Sequence, residues 1–217
     1  MWKALLKKEF HLVGRSLGGI ISLFTLSVSV IFIFYSSIEV NEALPEKSVR
    51  GLKWAILFIL NFVIVSQSLW EERESSGWET SLGSAPAMNL YLIKSLVVWF
   101  FTTLVNAAVL FVLNLFFLNM DLDRYWGEFL FSTLGAGSLV FLGVSLGLIS
   151  SESRMKEIVI PLLQLPFSVP LFLFGLEAEN RFWVEPGFYF PSVGLLIFFI
   201  LFYAGLGSIF VEILKND

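Results

Sequence analysis

The sequence predicts an all-α, polytopic membrane protein with six spans. Three observations carry that reading. Of 217 residues, 57% are hydrophobic and only 15% are charged, whereas soluble domains carry about 25% charged residues. The mean hydropathy is +0.82, more apolar surface than a water-soluble globule of this length can hide. Finally, six long stretches contain no Asp, Glu, Lys or Arg, and they are uniformly apolar instead of alternating, which selects helices over a barrel.

The first element is a basic amphipathic helix over residues 2–15. On a helical wheel Trp2, Leu5, Leu6, Phe10, Leu12 and Val13 share about half the circumference. Lys3, Lys7, Lys8, His11 and Arg15 take the other side, an arrangement suited to the headgroup plane of a bilayer. Glu9 breaks the pattern because it falls inside the apolar arc. It either reaches sideways to a lysine or water, or contacts a partner or another helix.

The spans follow at Ser16 to Ile38, Trp54 to Trp70, Ser95 to Met120, Phe129 to Ser151, Ile158 to Leu176 and Pro186 to Val211. Each approaches or exceeds the roughly 20 residues needed to cross the hydrocarbon. The first is expected to be a retained span, since no convincing small-x-small cleavage pattern follows it. With the N-terminus in the cytoplasm, nine of the fourteen Lys and Arg fall inside and five outside, the bias that cytoplasmic loops normally show. Both termini are then cytoplasmic.

The segment between spans two and three, residues 71–94, is the most informative. It holds Glu71, Glu72, Glu74 and Glu79 directly after a span, with Gly77 to allow a turn. Trp78 and Leu82 would share a face on a short helix, and Pro86 would end it. Clustered carboxylates suit acid/base work or a cation, but they also suit an ordinary solvated loop. In span five, Pro161, Pro166 and Pro170 each remove a backbone hydrogen bond, with Gln164 between them. They predict packing, gating or a substrate-facing surface. Gly14 and Gly18, Gly143 and Gly147, and Ala204 and Ser208 form small-xxx-small pairs suited to close helix packing. Asn61, Gln67, Asn106, Asn114 and Asn119 are expected to make interhelical hydrogen bonds or to lie at interfaces.

Several chemistries are excluded. The chain has no cysteine and a net charge of −4 without a Lys/Arg-dense patch, which argues against thiolate metal sites and nucleic-acid binding. The lone His11 makes a metal site improbable, and no metal ligands are assigned. There is no P-loop, so any ATP hydrolysis belongs to another polypeptide. No H-E-x-x-H or G-x-S-x-G motif occurs, and the protein is not expected to be an enzyme.

The order of residues in the loop resembles the cytoplasmic coupling segment of ABC-2-type transporter permeases, which also have six spans and an N-terminal interfacial helix. Within that class the chain is similar to the haem exporter protein B (CcmB) family, the permease of cytochrome c maturation. Lys8-Glu9 followed by Arg15, the loop residues Glu72, Gly77, Glu79, Leu82, Pro86 and Lys94, and the run Ile160 to Gly175 with its prolines carry the likeness. The resemblance implies a separate ABC ATPase subunit that binds ATP, other maturation subunits, and ATP hydrolysis linked to haem export or to release of a haem-loaded chaperone, with no cofactor held directly; a second permease copy is a further candidate partner. It implies an ATPase-coupling role for Glu71, Glu72, Glu74, Gly77, Trp78, Glu79, Leu82, Pro86 and Lys94 in a bacterial inner membrane. Pro161, Gln164, Pro166 and Pro170 become candidates for the gate or substrate path, and Trp2, Lys8, Glu9 and Arg15 for the interfacial helix. An ABC-2 permease for another substrate, a stand-alone transporter and a non-transporting assembly factor are the alternatives.

Overall fold

A computed structural model describes residues 2–15, 17–37, 45–74, 86–117, 122–149, 156–185 and 189–216. Among the described residues there are seven α-helices and no strand. They are α1 (Trp2–Arg15), α2 (Leu17–Ser36), α3 (Glu46–Glu74), α4 (Ala87–Phe117), α5 (Leu122–Ile149), α6 (Lys156–Val184) and α7 (Tyr189–Asn216). The last six are long and apolar enough to cross a membrane. Many of their residues are β-branched or aromatic and would favour strands in water. In hydrocarbon the backbone must satisfy its own hydrogen bonds within the segment, and only the helix does so.

The helices outrun the charge-free stretches. α4 has 31 residues, about 46 Å of helix against a hydrocarbon core of roughly 30 Å. α3 begins eight residues before the apolar stretch starts at Trp54. Helix propagation past the core is inexpensive once the turn is formed. Charged residues expected in loops, among them Arg50, Lys53, Glu72, Lys94, Glu128 and Glu179, therefore lie on helices and are buried.

α5 is the central helix and touches α3, α4, α6 and α7. Every residue from Gly135 to Gly147 is buried. Small side chains make this possible. A Cβ at Gly135 would meet the Trp54 ring at 2.8 Å, and one at Gly137 would meet Trp99 at 2.8 Å. Gly143 lies against Val65, and Gly147 against Leu69, so this pair packs α5 on α3 as its spacing predicts. Gly175 of α6 receives the other edge of Trp54, at 2.8 Å. By contrast, a Cβ at Gly14 or Gly18 would meet nothing within 4 Å, so that pair makes no close approach.

Asn61 and Asn114 are fully buried at helix interfaces, one of the two expected outcomes, but the hydrogen bonds they donate stay within their own helices. Asn61 and Asn114 donate to the carbonyls of Leu57 and Leu110 in their own helices, at 2.8 and 3.0 Å. A side-chain amide lacking a partner across the interface turns back to the i−4 carbonyl. Among the described residues neither amide atom of Asn106 finds a hydrogen-bond partner; Asn119 lies outside them.

α6 is helical through all three prolines. The Tyr203 hydroxyl donates to the Phe167 carbonyl at 2.6 Å, and the Ser168 hydroxyl to Leu165 at 2.9 Å. Neither acceptor is a carbonyl that Pro166 or Pro170 frees, which would be those of Leu162 and Pro166 four residues back.

Candidate functional site

One charged network joins three helices at the end of the bundle where α1 lies. Glu9 points inward because its place on the α1 wheel lies between Leu5, Leu12 and Val13, all buried. Lys94 sits two turns into α4, and only 1% of its side chain is exposed. Its ammonium donates to Glu72 Oε2 at 2.7 Å and to the Ser68 carbonyl at 3.2 Å, and Glu9 Oε2 stands at 3.5 Å. Lys8 closes the ring from the rim: its ammonium donates to Glu72 Oε1 at 3.0 Å and lies 3.5 Å from Glu9 Oε1. Two cations face two carboxylates, so no net charge is buried, the condition under which ions tolerate a low-dielectric setting.

The sequence assigned Lys8 and Glu9 to the interfacial helix, and Glu72 and Lys94 to coupling. The structure brings the two sets together. Glu71 is half-buried beside them, and Glu74 is the last residue of α3. Pro86 lies at the start of α4, where its carbonyl accepts from the amides of Asn89 and Leu90 at 3.0 and 3.2 Å. Gly77, Trp78, Glu79 and Leu82, with the short helix expected there, lie outside the described residues. Trp2 is exposed at the start of α1, and Arg15 ends that helix.

The span-five candidates divide between two faces. Pro166 and Pro170 are exposed on the outside of α6, whereas Gln164 is fully buried. The Gln164 amide lies 3.4 Å from where a Gly143 Cβ would stand and has no hydrogen-bond partner among the described residues. Pro161 belongs to the same helix.

A second network, missed in the sequence, occupies the opposite end. The Lys53 ammonium of α3 donates to Glu128 of α5 and Glu179 of α6. Trp54 Nε1 donates to Glu179 Oε2 at 2.6 Å. Arg50 donates to Asn180 Oδ1 at 2.5 Å and to Glu46 at 2.9 Å, with Glu128 at 3.8 Å. A signal was present: Lys53 and Glu128 each stand one residue before an apolar stretch, and Glu179 three residues after one. Opposite charges at the same bilayer level on neighbouring helices are expected to pair.

Six apolar helices, one of them central and glycine-lined, and a basic helix tied to α3 and α4 through Lys8 and Lys94 fit a multi-pass membrane protein of the transporter-permease class. The family described as CcmB protein matches residues 1–201, so the chain belongs to that family, the haem exporter B proteins of cytochrome c biogenesis. Its members are permease subunits that work with other subunits in an ABC transporter complex, and are not themselves enzymes. No curated protein matches the chain.

Proposed function

We propose that the protein is the permease that couples ATP hydrolysis on a separate ATPase subunit to haem export, or to release of a haem-loaded chaperone. In this reading the α1 end faces the cytoplasm of a bacterial cell and the spans lie in its inner membrane. The observation that carries it is the Glu72–Lys94 pair at 2.7 Å. α3 ends at Glu74, two residues after Glu72, and α4 begins at Ala87, two turns before Lys94, so the pair joins the two helices that flank the hairpin from Glu71 to Pro86. A push on the hairpin from the ATPase therefore reaches both flanks as one body. Through Glu9 and Lys8 it also reaches α1.

α3 then acts as a strut. Glu72 and Lys53 stand about 28 Å apart along its axis, so displacement at one end arrives at the Lys53–Glu128–Glu179 junction with α5 and α6. Spans two and three rock, and the proline-bearing α6 rearranges around Gln164. Nucleotide biases this motion only through contacts that differ between the two states, and the hairpin carboxylates and Trp78 supply them. A second permease copy and the other maturation subunits complete the assembly.

The test replaces Glu72, Glu74 and Glu79 together with Ala. The expected result is loss of ATPase co-purification, or loss of cytochrome c assembly with binding retained. Normal assembly with normal binding would overturn the coupling role.

A further inference from the structure

The outward face of α1 is a stronger charge surface than the composition of that helix suggests. Its lone carboxylate, Glu9, is buried and lies against Lys94 and Lys8. What remains outside is basic and polar: Lys3 and Lys7 are exposed, with His11 exposed beside them. Beside this face, Trp2 is 47% and Phe10 41% exposed. Phe10 also sits against the rings of Phe100 and Phe101 of α4 at 5.6 and 5.5 Å, which holds that flank of α1 against a membrane span. Cations next to exposed aromatic rings, on a helix laid against a span, match a layer that is anionic on one side and apolar on the other.

We infer that the Lys3–Lys7–His11 face of α1 is a docking surface for acidic phospholipid headgroups, selective for them over zwitterionic ones. The lysines take the headgroup phosphates, while Trp2 and Phe10 enter the acyl boundary. Turning Glu9 inward removes the one repulsive charge that α1 itself would present to the lipid. The inference does not depend on the ATPase coupling proposed above.

The chain has no cysteine, so Ala4→Cys on the same face gives a single site for an environment-sensitive fluorophore. The labelled full-length protein in detergent is titrated with phosphatidylglycerol, phosphatidylcholine or inorganic phosphate. Each surface lysine contributes roughly fivefold to acidic-lipid affinity. Phosphatidylglycerol is expected to bind at least tenfold more tightly than phosphatidylcholine, with the preference shrinking in high salt. Lys3→Gln with Lys7→Gln should bring the two lipids within about twofold. These lysines are exposed, so the variant is expected to fold, which its unchanged elution profile checks. Equal response to both lipids, a preference untouched by the double substitution, or the same response to inorganic phosphate would overturn the inference. So would a fluorophore that shifts only when the ATPase subunit is added.

Discussion

The two charged networks close opposite ends of the same helix, and they are built to different plans. At the far end, Lys53 is held between two carboxylates, one of which also accepts from an indole, and Arg50 is shared among Asn180, Glu46 and Glu128. That end joins α3, α5 and α6, and the lysine and both carboxylates are at most 3% exposed. At the α1 end, Lys94 is as deeply buried, but Lys8, which shares its two carboxylates, is 28% exposed and reaches in from a short surface helix. The first arrangement locks three spans together. The second leaves one member at the water boundary, where it can exchange partners at low cost. The proposed coupling to an ATPase would need both: a junction that holds, and an input that yields.

Removing a member of each end tests this contrast. Glu179→Ala leaves Lys53 with one carboxylate and the Trp54 N–H with no acceptor. Breaking a buried pair of this kind costs about 3–5 kcal/mol, so the variant should show the largest fall in thermal stability in detergent. Lys94→Met should cost about 2 kcal/mol, because Lys8 still faces both carboxylates, yet it should abolish cytochrome c assembly. If the two substitutions destabilise equally, the division into a lock and an input fails. Gly147→Val drives a side chain into Leu69 and tests whether α3 must stay close to α5; overpacking of this kind costs about 1–3 kcal/mol. The smallest effect is expected from Gln164→Leu. It removes a buried amide without partners and should raise stability by about 1 kcal/mol. Assembly lost in that more stable variant would place Gln164 on the working path, whereas assembly retained would leave it a packing residue.

The spans were legible because one term, the transfer of apolar side chains out of water, dominates every stretch from α2 to α7. The inward place of Glu9 was legible too, since the α1 wheel put it in the apolar arc and left a contact with another helix open. The junction around Lys53 was not. Its members are separated by 75 and 126 positions, and each sits just beyond a charge-free stretch, where a hydropathy reading assigns a loop. Helix continuation past the hydrocarbon, a backbone effect with no hydropathy signature, carried these residues into the bundle. The division of the span-five candidates is recoverable from geometry: Gln164 and Pro166 are two positions apart, about 200° around a helix, and so lie on opposite faces.

The Trp54 ring rests between Gly135 and Gly175, on two different helices. Bulk at one position is matched by the missing side chains at the other two, so the three positions form a single inherited unit. A lineage that loses the indole leaves a void that larger residues at 135 or 175 would fill. Among descendants of this chain these three sites should change together, or not at all.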